Sequence, residues 1–397
     1  MKLMRFGLFV AFVIAFFGAT LPLWAATSPD VIYYLDSSGN VNELRFNGSS
    51  WSTTNVTQAA SAIAANAKSR LTGHLYGSGD NVWYVGTDSH IHELSYYNSA
   101  WHKSDNTSLA NAPDAEGNSP LTSVANYPND YVVYVAADGD IHQLDFNGTS
   151  WSDSDLTTLS NAPVFSLAGP DSLGVSIASE QGNLNEAIYF KSVAGHLYTI
   201  SNYVAYPYGC AGWCSTDLSG PGQFEPEDPA ANTNIFSHIY ESSQEVHYVG
   251  ENGDLIQIAY YDFNGEFDWY GSDITSASGG PAPGNASTPL TGYQNSSYDD
   301  IYFMTSTPDV FMNWLNGSQW ENTNVTSLSY GSAPDPSRAM TGEIWNTYPE
   351  VYCFLPNGDV YEYAFYSNYW HSLDVSSVVN APAARSGSPI AAFTGGS

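Results

Sequence analysis

The stretch YYLDSSGNVNELRFNGSSW, Tyr33 to Trp51, holds an alternating apolar run, a turn, a second alternating run, another turn and a tryptophan. It returns as WYVGTDSHIHELSYYNSAW from Trp83 to Trp101 and as VYVAADGDIHQLDFNGTSW from Val133 to Trp151. Self-similarity at a fixed period constrains a fold more tightly than any local propensity. The closing tryptophan serves as a ruler. Trp51, Trp101, Trp151, Trp213, Trp269, Trp320 and Trp370 stand 50, 50, 62, 56, 51 and 50 residues apart, so seven units of about 50 residues fill the chain after its N-terminal segment.

Each unit resolves into four short runs with period-two alternation, bounded by turn residues and without a long helical pattern, which marks an all-β chain. Ser38-Gly39-Asn40, Asp138-Gly139-Asp140, Asn252-Gly253-Asp254 and Asn357-Gly358-Asp359 separate the second and third runs. Asn47-Gly48, Asn147-Gly148, Asn264-Gly265 and Asn316-Gly317 separate the third and fourth. Hairpins of this kind need residues that tolerate positive φ. Four-stranded units in such number predict a seven-bladed β-propeller. The chain enters the repeat at a second strand, DVIYYLD, and leaves it on a first strand, SPIAAFTG. The C-terminal strand is therefore expected to join the N-terminal blade and close the ring, removing the open edges that promote aggregation. The fourth unit is irregular, with enlarged loops around Trp213 and a third strand, HLYTISN, that departs from the pattern.

Residues 1–26, MKLMRFGLFVAFVIAFFGATLPLWAA, have a basic start, an apolar run and a small-residue exit, as a cleaved signal peptide does. Residues 27–397 are then one propeller domain of a secreted, extracellular protein, with a cell-surface or periplasmic location also open. With Lys2 and Arg5 gone, seven basic residues face 40 acidic ones. Such a surface repels polyanions, which excludes nucleic acid and anionic lipid as partners, and no later segment is apolar enough for membrane insertion. Three cysteines are few for a secreted chain. Cys210 and Cys214 are close enough in sequence to bridge a loop, while Cys353, inside VYCFL, reads as a buried thiol.

Three recurrent positions are candidates for function. The tryptophan can pack between blades or offer its face to a sugar, which makes Trp51, Trp101, Trp151, Trp320 and Trp370 site candidates. At the equivalent third-strand position of the seven units stand Glu43, Glu93, Gln143, Thr199, Gln257, Met312 and Glu362, eight residues before the tryptophan in five units and 14 and 12 before it in the longer fourth and fifth. The five Glu and Gln side chains among them can hydrogen-bond a hydroxyl pair or an inter-blade amide. His90 and His92 share a strand face, but His142 repeats the His92 position, so packing is expected rather than metal binding. No GxSxG, HExxH or phosphate loop occurs, and the acidic residues lie mainly in repeated turns. The expectation is a non-enzyme with no catalytic residues, cofactor or metal.

With first strands like SPLTGY, second strands like VYYL, IHEL with its glutamate and the closing tryptophan, the whole repeat region resembles the fungal fucose-specific lectins and related bacterial propeller lectins. The resemblance implies a carbohydrate-binding protein with several weak sugar pockets between blades, glycans or glycoconjugates as partners, and fucose or a related sugar as ligand. It implies that an arginine before the second-strand tyrosines, the third-strand glutamate and an aromatic ring grip the sugar. The glutamate matches at Glu43, Glu93 and Glu362, and the tryptophan in every unit. The arginine's places are held by Val31, Asn81, Tyr131, Ala187, Glu245, Asp300 and Glu350. The alternative is a propeller serving as an adhesion or protein-interaction scaffold, in which the recurrent residues only lock blades together.

Overall fold

The computed structural model describes residues 28–165, 173–180, 183–202, 212–219, 227–240, 243–263, 266–294 and 299–396. The apolar N-terminal segment, Cys210 and the Asn264-Gly265 turn lie outside the described residues. Apolar alternation folds into seven antiparallel four-stranded sheets. In the second blade these are Leu71–Tyr76, Gly79–Val85, Ile91–Tyr97 and Ala100–Asp105, hydrogen-bonded in chain order. The first strands of successive blades touch one another around a closed ring. The clasp falls where the repeat phase predicts it: Ile390–Thr394 pairs antiparallel with Asp30–Leu35, placing the chain's last strand innermost in the first blade.

The expected turns form, with Gly39, Gly139, Gly253 and Gly358 at φ between +78° and +92°. At these values an L side chain is strained, which is why glycine recurs there. One element goes beyond the sequence reading. Six blades add a one-turn helix after the fourth strand, such as Asn106–Ala110, N-capped by Asn55, Asp105, Asp155, Asp273, Asn324 or Asp374. A threonine or serine within each helix accepts a hydrogen bond from the backbone at the start of the third strand, as Thr107 Oγ1 does from Ile91 N at 2.8 Å. The irregular fourth blade keeps this bond, through Ser219 Oγ and Leu197 N at 2.9 Å. Cys214 is disulfide-bonded, and Cys353 is free and buried.

The apolar core is distributed over the seams between blades. Seven hydrophobic clusters each combine residues of two neighbouring blades, and each contains one of the seven ruler tryptophans. Trp101, for example, packs with Val31 and Tyr33 of the first blade and Val82 and Leu94 of its own. The tryptophan spacing is therefore the spacing of the seams. No helix among the described residues is long and apolar enough to cross a membrane.

Candidate functional site

Strand register determines which side chains enter each seam. Tyr33 pairs with Glu43, so the recurrent third-strand position shares a face with the residue paired to it on the second strand and points toward the following blade. Opposite it, from that blade, comes a residue in the first half of its second strand: Asp80, Asp130, Glu186, Gln244, Asp299 or, at the closure, Asp30. All six are buried. The sequence reading missed this recurrent acidic or amide position. Its signal was present in DVIYYL, DNVWYV, DYVVYV and EAIYF.

The candidates fall into these seams. Glu43 accepts from Tyr33 Oη at 3.1 Å and pairs with Arg45 at 2.9 Å. Arg45 also bridges to Asp80 and lies 5.3 Å over the Tyr96 ring. Arg45 is the cross-strand partner of Val31, so a guanidinium stands one strand away from a place where the resemblance implies one. Gln143 Nε2 donates to Glu186 at 3.3 Å, and Gln257 Nε2 donates to Glu245 at 2.7 Å and Asp299 at 3.2 Å. In that last seam His238 lies 2.7 Å from Asp299 and 3.4 Å from Glu245, and these carboxylates raise its pKa to about 9 against the effect of burial. Glu43, Glu93, Gln143 and Gln257 are at most 8 % exposed. Each is bonded to protein groups. His92 and His142 both pack on the second-strand tyrosine, with ring centroids 5.7 Å apart, as the repeat implies. His90 and His92 come together with Asp88 and Asp105, and each ring already bonds to one of these aspartates.

Glu93 accepts from Ser104 Oγ at 2.8 Å and from Asn106 Nδ2. Burial, with a smaller push from Asp130, raises its pKa to about 7. A carboxyl raised in the folded state stays protonated where the unfolded chain ionises, so it loses stability as pH climbs from about 4.5 through 7. Glu93→Gln removes that loss. It is expected to be about 1–3 kcal/mol more stable than wild type at pH 8 and equal to it at pH 4. Urea unfolding at the two pH values measures the difference; an equal or reversed gap at pH 8 would contradict the assignment.

At the closure, between the seventh and first blades, the seam opens into a cavity of about 1060 Å³. Trp345 and Tyr348, flanking a turn with Asn346 and Thr347 at positive φ, form one wall with Tyr366. Phe46 and Trp51 form the other, and the Phe46 ring meets Trp345 edge-on across the seam at 5.3 Å. Trp370 also lines the cavity, and Tyr330, 96 % exposed, stands in its lining. The polar part is acidic: Asp30, Glu350 and Glu362 all reach the cavity. Tyr352 Oη donates to Glu350 at 2.7 Å and also to Asp30. Burial holds the Asp30 carboxyl above the usual carboxylate range, and burial with repulsion from Asp30 does the same for Glu350 and Glu362, the last at about 8. Among the sequence candidates, Trp51, Glu362 and Trp370 are thus brought together. Trp101, Trp151 and Trp320 sit partly buried in other seams. Trp345, Tyr348 and Asp30 were not anticipated, because they do not belong to the positions on which the repeat is recognised.

No protein-family model and no curated protein sequence matches the chain. Solved structures do. The BP39L lectin of Burkholderia pseudomallei aligns with a TM-score of 0.61 at 13 % identity, over 88 % of this chain and 95 % of that one. The Aleuria aurantia lectin in complex with Fucα1-6GlcNAc aligns at 0.53 and 13 % identity, over 77 % and 94 %. AofleA from Arthrobotrys oligospora aligns at 0.51 and 14 % identity, over 83 % and 90 %. The Aleuria lectin is described as a six-bladed β-propeller with a novel mode of fucose recognition. At these identities the likeness is one of fold, and this chain has one blade more.

Proposed function

We propose that the protein is a secreted carbohydrate-binding propeller whose dominant site is the cavity between the seventh and first blades. The observation that carries the reading is the composition of that cavity. Flat aromatic walls suit the apolar faces of a pyranose, and the carboxyls above Tyr352 suit its hydroxyls. The fold is similar to that of the fungal and bacterial lectins named above. The polar set differs from seam to seam, so sites elsewhere in the ring are unequal to this one. Individually weak sites gain strength when a glycan-covered surface is engaged at several points. With Glu350 at the place where the resemblance puts an arginine, fucose or a related neutral sugar must be held by acceptor groups rather than by a guanidinium. Secretion is supported by the N-terminal signal-like segment and by the disulfide at Cys214.

A glycan array followed by calorimetry tests the reading. Trp345→Ala is expected to weaken sugar binding about tenfold or more while leaving the far-ultraviolet spectrum unchanged. Trp101→Ala, in a seam away from the cavity, is expected to lower stability without that loss. Absence of binding to any sugar would overturn the proposal in favour of a scaffold. Release of nitrophenol from aryl glycosides would instead make the converging carboxyls those of a glycosidase.

A further inference from the structure

Three other seams set a basic side chain against their buried acids. Arg45 serves Glu43 and Asp80, His74 lies 2.8 Å from Asp130, and His238 lies 2.7 Å from Asp299. The seam of the cavity is built differently. Asp30 opens the second strand of the first blade, while Glu343 and Glu350 face each other in register on the first and second strands of the seventh. One carboxylate oxygen from each lies within 4.8 Å of the others. The three residues are 1 %, 6 % and 4 % exposed. Among the described residues no arginine, lysine or histidine forms an ion pair with them. Arg45 acts on Asp30 only at longer range, its guanidinium being held by Glu43 and Asp80.

Hydrogen bonding does not satisfy the cluster either. Asp30 Oδ1 and both carboxylate oxygens of Glu343 are buried without a donor. The one hydroxyl present, Tyr352 Oη, is shared between Asp30 and Glu350. The bond open to Glu343 is to the Asp30 carboxyl, and it exists only while that pair keeps a proton. A buried charge without a partner is among the most costly arrangements a fold can hold. Oxygen donors alone, with no sulfur or imidazole among them, select hard cations.

We propose that Asp30, Glu343 and Glu350 bind one hard divalent cation, Ca²⁺ first, at the buried end of the cavity. The ion would bring to this seam the positive charge that Arg45 and His238 bring to two others. It would also join the first blade to the seventh through ligands from both. The inference uses the same cavity as the proposed sugar site but does not depend on a sugar being bound.

The test is sugar-free, so its failure and the failure of the lectin reading are separate results. The full secreted chain, stripped with a chelator, is titrated with CaCl₂ at pH 7.5 by calorimetry and by thermal unfolding. One saturable site per chain is expected, with Tm rising by about 3 °C or more at a hundredfold excess over Kd. Glu343→Gln, which loses no hydrogen bond from a neutral donor, is expected to fold and to bind Ca²⁺ at least tenfold more weakly. His90→Gln, in the Asp88–His92 cluster of the second blade, is expected to bind as wild type does. Three results would each overturn the proposal: no saturable binding up to 10 mM (order of magnitude for weak extracellular sites), undiminished binding in a folded Glu343→Gln, or loss of binding in His90→Gln.

Discussion

Deleting Ile390 to Ser397 is expected to abolish the cooperative unfolding transition of the whole protein. Ile390–Thr394 is the innermost strand of the first blade and pairs with Asp30–Leu35 along most of its length. It also touches the first strands of the second and seventh blades. Phe393 stacks on Tyr33 at 5.5 Å, Gly395 N donates to Pro29 O at 2.7 Å, and Arg45 donates to Gly396 O at 3.1 Å. Without these residues Asp30–Leu35 becomes an open edge facing an empty sector of the ring, and two seams lose their inner wall. The lost contacts span two interfaces, and the total stability of a domain is only about 5–15 kcal/mol. Calorimetry and the near-ultraviolet spectrum read the outcome. A sharp transition within a few degrees of wild type would show that closure contributes little.

Arg45→Met carries the next largest expectation, a loss of about 3–5 kcal/mol at pH 7.5, because it leaves Glu43 and Asp80 buried without their counter-ion. The side chain is part-buried and serves both carboxylates at once. Its sign with pH can be worked out. Burial already raises the pKa of Glu43, and Arg45 opposes that rise; removing the arginine raises it further. A carboxyl raised in the fold costs stability as pH climbs through its folded pKa, so the penalty is largest at pH 7.5 and shrinks toward pH 4. Adding Glu43→Gln to Arg45→Met is expected to recover part of the loss. Urea unfolding of the single and double variants at both pH values completes the cycle, and a loss below 1 kcal/mol at pH 7.5 would show the bridge to be dispensable.

The ring was legible because its determinants repeat. Tryptophans at one spacing, glycines at one turn and a final strand lacking partners of its own lead to seven blades and a clasp. The one-turn helices escaped because four or five residues show no 3.6-residue period, although caps such as Asp105 and Asp374 were in plain view. The site was only partly legible, for the opposite reason. Residues that recur from unit to unit, the tryptophan in all seven and the Glu or Gln of Glu43 and Gln143 in five, do the work of packing and internal hydrogen bonding within the seams. What distinguishes the cavity is where the seventh unit and the first depart from the repeat: Trp345 and Tyr348 around their turn, and Glu343 set opposite Glu350 where the fifth unit sets His238 opposite Glu245. Convergence of Asp30 with Glu343 across more than three hundred residues is a property of ring closure, and no local spacing announces it.

The walls of the cavity come from the first repeat and the last, and Trp345 Nε1 donates to Ser28 O at 3.2 Å, at the start of the described chain. Biosynthesis runs from one of these repeats to the other, so a product that stops before the seventh repeat cannot possess the pocket. An immobilised ligand would therefore retain only chains that carry both repeats and have brought them together. Recognition, in this molecule, doubles as a check on ring closure.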